Sequence, residues 1–255
     1  MTFEALHLKA RWLGCQRIEL ASCGSTNDEA ARLARAGAKH GTIVIAEQQT
    51  AGRGRDGRVW QSPEGGVYMS AVLRPPMAVI DVPPMTLAIG IGLCEAVRTT
   101  GAPAVLKWPN DLLVSDRKLA GVLVEAQSQG GKLEAVVVGI GVNINGELPP
   151  AVAETGITLA EAAGTTIDRS EFLERMLAHV ERWIDRYVSV GIEAIIPAWQ
   201  DRMAVGLTAR ATVDGAPLIG CVAGLDSDGS LLLRDEDGNV HRVRSGDVEV
   251  LRPAC

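Results

Sequence analysis

The sequence has few cysteines, histidines and aromatic residues, and it lacks the marks of an exported or membrane-spanning chain. Its five cysteines are odd in number, widely spaced and free of CxxC pairs, and its four histidines are equally scattered. This spacing argues against a disulfide framework and against a zinc site, whose ligands usually come in close pairs. We find no apolar leader at the N-terminus and no window of about 18 uncharged apolar residues. We therefore expect a cytoplasmic protein with no membrane partner.

An excess of positive charge is also missing. The chain carries 25 Lys and Arg against 31 Asp and Glu, a formal net charge of −6. Because nucleic-acid binding relies on Lys and Arg that neutralise phosphates, this balance opposes a general nucleic-acid partner. The positive charge is instead local, since Arg53, Arg55 and Arg58 lie close together and Arg117 is adjacent to Lys118.

Length and composition predict two folding units. A chain of 255 residues with 47% hydrophobic and 22% charged residues can bury a core and accommodate one sizeable domain with a small appendage. The pattern changes near Gly206, where short apolar stretches are divided by Asp-Gly pairs that favour hairpin turns. We predict a larger domain over residues 1–205 and a small SH3-like β-barrel over residues 206–255.

The larger domain is predicted to be α+β, with a mixed, largely antiparallel sheet and packed helices. Short turns between successive strands favour antiparallel pairing. Thr26 and Glu29 fit a capping box at the start of the first helix. Strands are predicted at residues 17–20, 42–47, 67–75, 104–108, 112–114, 119–125 and 133–144, and helices at 27–37, 85–101 and 168–191.

A polar, glycine-rich loop over residues 48–66 stands out between two predicted strands. Gly52, Gly54 and Gly57 formally match the GxGxxG dinucleotide fingerprint, which requires a helix directly after the glycines. Pro63 and a glycine pair follow instead, so we reject that interpretation. Arginines between glycines suit an anion, because the guanidinium fork fits carboxylate and phosphate oxygens. Charge alone is equally consistent with a solvent-exposed basic loop that binds no anion.

Five short motifs then occur in a strict order along residues 20–146. They are Ser25-Thr26-Asn27, the GRGRxGRxW stretch at residues 52–60, Lys107-Trp108-Pro109-Asn110-Asp111, the RKLAG stretch at residues 117–121, and GIGVNIN at residues 139–145. Together they resemble the signature motifs of biotin protein ligases. Any one of these motifs alone is a signal of only moderate specificity, whereas all five in this order are specific.

The resemblance implies a class II synthetase-like catalytic domain and an ATP-dependent biotin ligase. Such an enzyme makes biotinyl-5′-AMP from biotin and ATP, and then transfers biotin to a lysine of a biotin carboxyl carrier protein. Mg²⁺ would accompany ATP, held mainly by phosphates and water. Because few residues precede Ser25, we expect a form without an N-terminal DNA-binding domain. The sequence leaves a homodimer open.

The resemblance also implies roles for individual residues in catalysis and nucleotide binding. Lys118 would contact the biotin carboxyl and the α-phosphate, and Asp111 would orient the acceptor lysine. Each has a structural alternative, a turn lysine and a turn cap respectively. Arg53 and Arg55 would close over the adenylate during catalysis. Asn110 and Asn143 would bind the nucleotide by contacting its adenine.

A second group of residues is implied to bind biotin. Ser25 and Thr26 could instead only cap a helix, and Trp60 could be a core aromatic, which is the interpretation we favour for Trp108. The implied biotin-binding residues are Ser25, Thr26, Asn27, Gln49, Gly52, Arg53, Gly54, Arg55, Trp60, Lys118 and Gly121.

Three other functions remain as alternatives at this point. A lipoate or octanoate ligase or transferase could share the fold, although we do not expect it to carry this set of motifs. A biotin-responsive DNA-binding repressor is disfavoured by the acidic balance. A non-catalytic biotin-binding protein is disfavoured by the intact Arg53, Arg55 and Lys118.

Overall fold

The computed structural model describes residues 9–204, 207–213, 216–244, 246 and 248–251. Its main element is a seven-stranded sheet in the order β1-β2-β3-β7-β6-β5-β4. Only the β1–β2 pair is parallel among the strand pairs of this sheet, so the predicted mixed, largely antiparallel sheet is confirmed. The strands are β1 (Gln16–Cys23), β2 (Thr42–Gln49), β3 (Val67–Leu73), β4 (Val105–Lys107), β5 (Asp111–Val114), β6 (Arg117–Gln129) and β7 (Lys132–Val142).

Five α-helices complete the described fold, and the three long ones cover both faces of the sheet. They are α1 (Thr26–Arg35), α2 (Met85–Arg98), α3 (Leu159–Ala163), α4 (Arg169–Val190) and α5 (Ile196–Gln200). Side chains alternate between the two faces of a strand. In β7, Val136, Val138 and Ile140 therefore join the large core with α2 and α4, whereas Ala135 and Val137 join a small core beneath α1.

Helix α2 is the most apolar helix of the chain. By length and composition alone, the stretch Val79–Arg98 could cross a membrane, but 61% of that window is buried within the protein. Its contacts are mainly with α4, the amphipathic helix predicted at residues 168–191. This burial is what a central core helix requires.

A second, five-stranded antiparallel sheet follows, in the order β11-β10-β9-β8-β12, and corresponds to the predicted small barrel. Its strands are β8 (Thr208–Val213), β9 (Ala216–Leu225), β10 (Leu231–Arg234), β11 (Val240–Val243) and β12 (Glu249–Leu251). Buried Trp108 donates a hydrogen bond from Nε1 to the Gly229 carbonyl at 3.0 Å, which joins the two sheets. The predicted turn at residues 214–215 and the domain boundary at residues 205–206 lie outside the described residues.

One expectation needs correction. The capping box at Thr26 is wrong: the N-cap of α1 is Ser25, which makes no side-chain cap hydrogen bond, and Thr26 is already helical. The correction at Thr26 matters for function, because its hydroxyl is used elsewhere.

Candidate active site

A cavity of about 120 Å³ opens on the sheet face that α1 covers, just beyond the N-terminus of this helix. On β7, the residues after Val137 on this face are Gly139 and Gly141, so side chains from elsewhere can approach the sheet. A Cβ atom at Gly139 would lie 2.1 Å from Oδ1 of Asn27. The two glycines therefore leave a recess in the surface of the sheet at the N-terminus of α1.

A buried polar network forms one end of the cavity. Gln49 accepts hydrogen bonds through Oε1 from the Thr26 backbone amide at 2.7 Å and from Thr26 Oγ1 at 3.0 Å. Ser70 Oγ lies 2.8 Å from Thr26 Oγ1 and 2.6 Å from Asn27 Oδ1. A serine hydroxyl has one proton, so it serves only one of these two acceptors at a time. The other acceptor can take a hydrogen bond from a ligand.

Trp60 forms the cover of the cavity. Gly121 and Gly141 are directly paired across β6 and β7, and the indole lies against both. A Cβ atom at Gly141 would lie 2.6 Å from Trp60 Nε1. This Nε1 atom is buried and has no hydrogen-bond partner among the described residues. It is therefore a donor that a ligand can use.

Lys118 and Asp111 form the charged end of the cavity. Lys118 Nζ lies 2.6 Å from Asp111 Oδ1 and 5.3 Å from the centre of the Trp60 ring. Lys107 Nζ lies 3.4 Å from Asp111 Oδ2. One carboxylate is thus shared by two ammonium groups, and a net positive charge remains. An anionic ligand group is favoured here.

The glycine-arginine loop folds back over the cavity as a small hairpin. Arg53 and Val59 pair in an isolated bridge around the short 3₁₀ helix Arg55–Gly57. Gly52 is required at the base of this hairpin, because a Cβ atom there would lie 2.4 Å from the Trp60 carbonyl oxygen. The backbone of the loop thus sets the position of the indole.

The arginines of this loop have different partners. Arg53 forms ion pairs with Asp28 at 2.7 Å and with Glu125 at 3.2 Å. Arg55 makes two long, neutral contacts of 3.4 Å, with Asn110 Oδ1 and with the Gly246 carbonyl. Arg55 can therefore turn to an anion at a lower cost than Arg53 can.

Known proteins resemble this chain over almost its whole length. A sequence model of the Biotin/lipoate A/B protein ligase family matches residues 21–143. The bifunctional ligase/repressor BirA of Bacillus subtilis is 33% identical over 95% of this chain and 76% of that protein. The biotin--[acetyl-CoA-carboxylase] ligase of Paracoccus denitrificans is 35% identical over 86% of this chain and 94% of that protein.

The chain belongs to the biotin protein ligase family. The family resemblance seen in the motifs is thereby confirmed, and so is the fold class. A biotin protein ligase from Aquifex aeolicus, solved in complex with biotin and ATP, superposes with a TM-score of 0.82 at 30% identity. The superposition covers 94% of this chain and all of that one.

Most of the predicted site residues of this family member meet at the one cavity. Gly52 and Asn143 are the exceptions. Gly52 lies at the base of the loop hairpin. Asn143 is buried behind Lys118, and its Nδ2 donates to the carbonyls of Lys118 at 3.4 Å and Ile157 at 3.3 Å. Trp108 lies in the core, as favoured from the sequence. The predicted residues that line the cavity are Ser25, Thr26, Asn27, Gln49, Arg53, Gly54, Arg55, Trp60, Asn110, Asp111, Lys118 and Gly121.

Sequence reasoning missed several residues of the site. Ser70 and Glu125 were not singled out, although each is a polar residue within an apolar strand, a position that usually needs a partner. Lys107 was quoted only as part of a motif, and the spacing of Gly139 and Gly141 on one strand face was overlooked. That spacing alone predicts a recess in the sheet.

Proposed function

We propose that this chain joins biotin to ATP, forming biotinyl-5′-AMP and pyrophosphate, and then transfers the biotin to a lysine of a biotin carboxyl carrier protein. One observation supports this most directly: a neutral hydrogen-bonding end and a cationic end share one small cavity. Biotin has the same polarity, with an uncharged ureido group at one end and a carboxylate at the other.

The ureido group is assigned to the polar end. Its two N–H groups need acceptors, and its carbonyl needs a donor, because each buried polar group left unpaired costs about 1 to 3 kcal/mol. Thr26, Asn27 and Ser70 supply the hydroxyl and amide groups in the network, where Ser70 cannot satisfy both neighbouring acceptors at once. Trp60 closes the cavity over the bound rings.

The biotin carboxylate is assigned to the cationic end, beside Lys118 and Arg55. A carboxylate oxygen attacks the α-phosphorus of ATP, a new O–P bond forms, and the bond to the leaving pyrophosphate breaks. Lys118 and Arg55 reduce the repulsion between the two anions and stabilise the charge of the transition state. Asn110, which contacts Arg55, is assigned to the adenosine side of the site.

Asn143 is proposed to act on the nucleotide through Lys118. Its amide nitrogen donates to the carbonyls of Lys118 and Ile157. In this position it fixes the backbone from which the Lys118 side chain extends.

Mg²⁺ is proposed to enter with ATP. Among the described residues, no three His, Cys, Asp or Glu side chains group as metal ligands. The Asp111 carboxylate, which lines the cavity, is paired with Lys118. We therefore propose that phosphates and water hold most of the coordination positions of the ion.

In the second step, the acceptor amine attacks the acyl carbon, the amide bond forms, and AMP leaves. Asp111 is proposed to orient this amine, since it already pairs with two ammonium groups, those of Lys107 and Lys118. The proposal places the reaction in the cytoplasm, without a nucleic-acid partner, and leaves a homodimer open. A gel shift with DNA tests the second of these points.

The first experiment is a comparison of pyrophosphate release with biotin, lipoate, octanoate and no acid, in ATP and Mg²⁺ without a carrier. Release that depends on biotin supports the proposal. Equal release with lipoate or octanoate would contradict the assigned substrate, and no release with any acid would leave only a binding role. Mass spectrometry of a carrier domain after the reaction then tests the transfer to lysine.

A further inference from the structure

We infer that Glu125 is a positioning residue that couples closure of the glycine-arginine loop to the binding of biotin. This inference rests on the proposed function. Glu125 lies on β6, on the same face as Gly121 and Leu123, which line the cavity. Its carboxylate contacts one residue of the ligand pocket and one residue of the loop.

The pocket contact fixes the orientation of Asn27. Asn27 is 4% exposed, and its Nδ2 donates to Glu125 Oε2 at 2.6 Å. A carboxylate only accepts hydrogen bonds, so the amide nitrogen of Asn27 must face Glu125. The amide oxygen then faces Ser70 and the cavity. The contact with Glu125 thus orients the Asn27 amide so that its oxygen, a hydrogen-bond acceptor, is available to the ligand.

The loop contact fixes the guanidinium group of Arg53 between Glu125 and Asp28. Arg53 NH1 lies 3.2 Å from Glu125 Oε1, and its NH2 lies 3.3 Å from Oε2 and 2.7 Å from Asp28 Oδ1. Since the guanidinium is shared by two carboxylates, its charge is already compensated. Arg53 therefore acts as a latch that closes the loop, and Arg55 remains as the arginine that turns to the phosphate.

Both contacts use the same carboxylate, so they depend on each other. The Arg53 contact holds the Glu125 carboxylate in one position, and that position orders Asn27 for biotin. By linkage, biotin must then stabilise the closed loop by the same factor by which loop closure strengthens biotin binding. Asp28 provides a matched control, because its carboxylate pairs with Arg53, whereas the side chain of Asn27 donates to the carboxylate of Glu125.

The test compares Glu125→Gln, Asp28→Asn and Arg53→Met with the wild type. Trypsin cleavage after Arg55 and Arg58 is timed by mass spectrometry, with and without biotin, and the biotin Kd is measured by calorimetry. All three substitutions should speed cleavage without ligand. Glu125→Gln should weaken biotin about tenfold and lose most of the protection that biotin gives the loop, within the usual range of coupling. Asp28→Asn should keep the biotin Kd within about twofold and keep that protection.

Two results would overturn the coupling: a Glu125→Gln variant with the cleavage rate and Kd of the wild type, or an Asp28→Asn variant that weakens biotin equally. Arg53 is on the surface, so Arg53→Met provides a folded variant if Glu125→Gln proves unstable in a thermal melt. A wild type that binds no biotin would contradict the proposed function and the coupling with it. The cleavage rates without biotin test whether Arg53 holds the loop closed, independently of the coupling to biotin.

Discussion

Asp111 and Lys118 form an ion pair with 2.6 Å between Oδ1 and Nζ, across the neighbouring strands β5 and β6. The second oxygen of Asp111 lies 3.4 Å from Lys107 Nζ. One negative charge therefore holds two positive ones in the partly buried floor of the site. This arrangement keeps an ammonium group in place at the cavity without neutralising the site.

Lys118→Ala should reduce biotin-dependent pyrophosphate release about 100-fold or more. The substitution removes a preorganised cation from the position where two anions must meet, and the loss of one such donor typically costs a factor of that size. Initial rates at saturating ATP and biotin give the measurement. The melting temperature should change little, because the side chain is 38% exposed.

Lys132→Ala is the matched control, since Lys132 is an exposed lysine at the far end of the same sheet. It should release pyrophosphate at the rate of the wild type. An unchanged rate in Lys118→Ala would refute the role assigned to Lys118.

Gly141→Ala should raise the KM for biotin about tenfold. The new methyl group would lie 2.6 Å from Trp60 Nε1, so the indole must move away from the sheet. When the indole moves, it packs less well against the rings of bound biotin, although no charge is removed. Steric overpacking of this kind typically costs about 1 to 3 kcal/mol. Steady-state kinetics at varied biotin provide the check.

Gly24→Ala is the control for this experiment. A Cβ atom at Gly24 meets no atom within 4 Å, although the residue lies next to Ser25 at the site. Its kinetics should match those of the wild type. Equal KM values for the two variants would show that Trp60 does not form part of the biotin pocket.

The sequence predicted the order and type of the long elements because their signals are local. The 3.6-residue repeat of α4 and the apolar runs of β2 and β7 need no partner to be recognised. The residues predicted from the motifs nearly all line one cavity. Asn143 was expected at the adenine, but its amide nitrogen is engaged with the backbone at Lys118.

The missing parts are contacts between residues far apart in the chain. Nothing local indicates that Glu125 contacts both Asn27 and Arg53, or that Ser70 lies between Thr26 and Asn27. The capping prediction at Thr26 failed for the same reason: local pattern favours a cap, but the hydroxyl bonds to Gln49 on the neighbouring strand. Tertiary hydrogen bonds overrode a local preference.

Trp108→Phe should lower the free energy of unfolding by about 1 kcal/mol, the usual net value of one buried hydrogen bond. The change keeps an aromatic ring in the core and deletes the bond from Nε1 to Gly229. If the C-terminal sheet is a separate folding unit, as proposed from residue 206 onward, hydrogen exchange should rise first in β9 and β10. Uniform exchange across both sheets would argue for one cooperative unit.

Glu95 should make the stability of the helical layer depend on pH. This carboxylate on α2 lies 2.9 Å from Arg202 and 2.9 Å from the indole nitrogen of Trp183, and it also contacts His179 and Arg182 on α4. Burial by itself would raise the pKa of Glu95, but these hydrogen bonds and charges lower it to about 2. A lowered pKa stabilises the fold above the ordinary glutamate pKa, and this stabilisation is lost as the pH falls towards 2.

Glu95→Gln should therefore destabilise the protein by about 3 kcal/mol at pH 7, because it leaves two arginines beside an uncharged group. Urea unfolding of both proteins at several pH values checks the expectation that the difference shrinks below about pH 4.5, where the unfolded carboxyl becomes protonated. Glu171→Gln, which breaks the exposed ion pair with Arg175 on α4, should cost less than about 1 kcal/mol. A difference for Glu95→Gln that stays constant down to pH 3 would mean that its charge does not hold α2 to α4, and that packing alone joins the two helices.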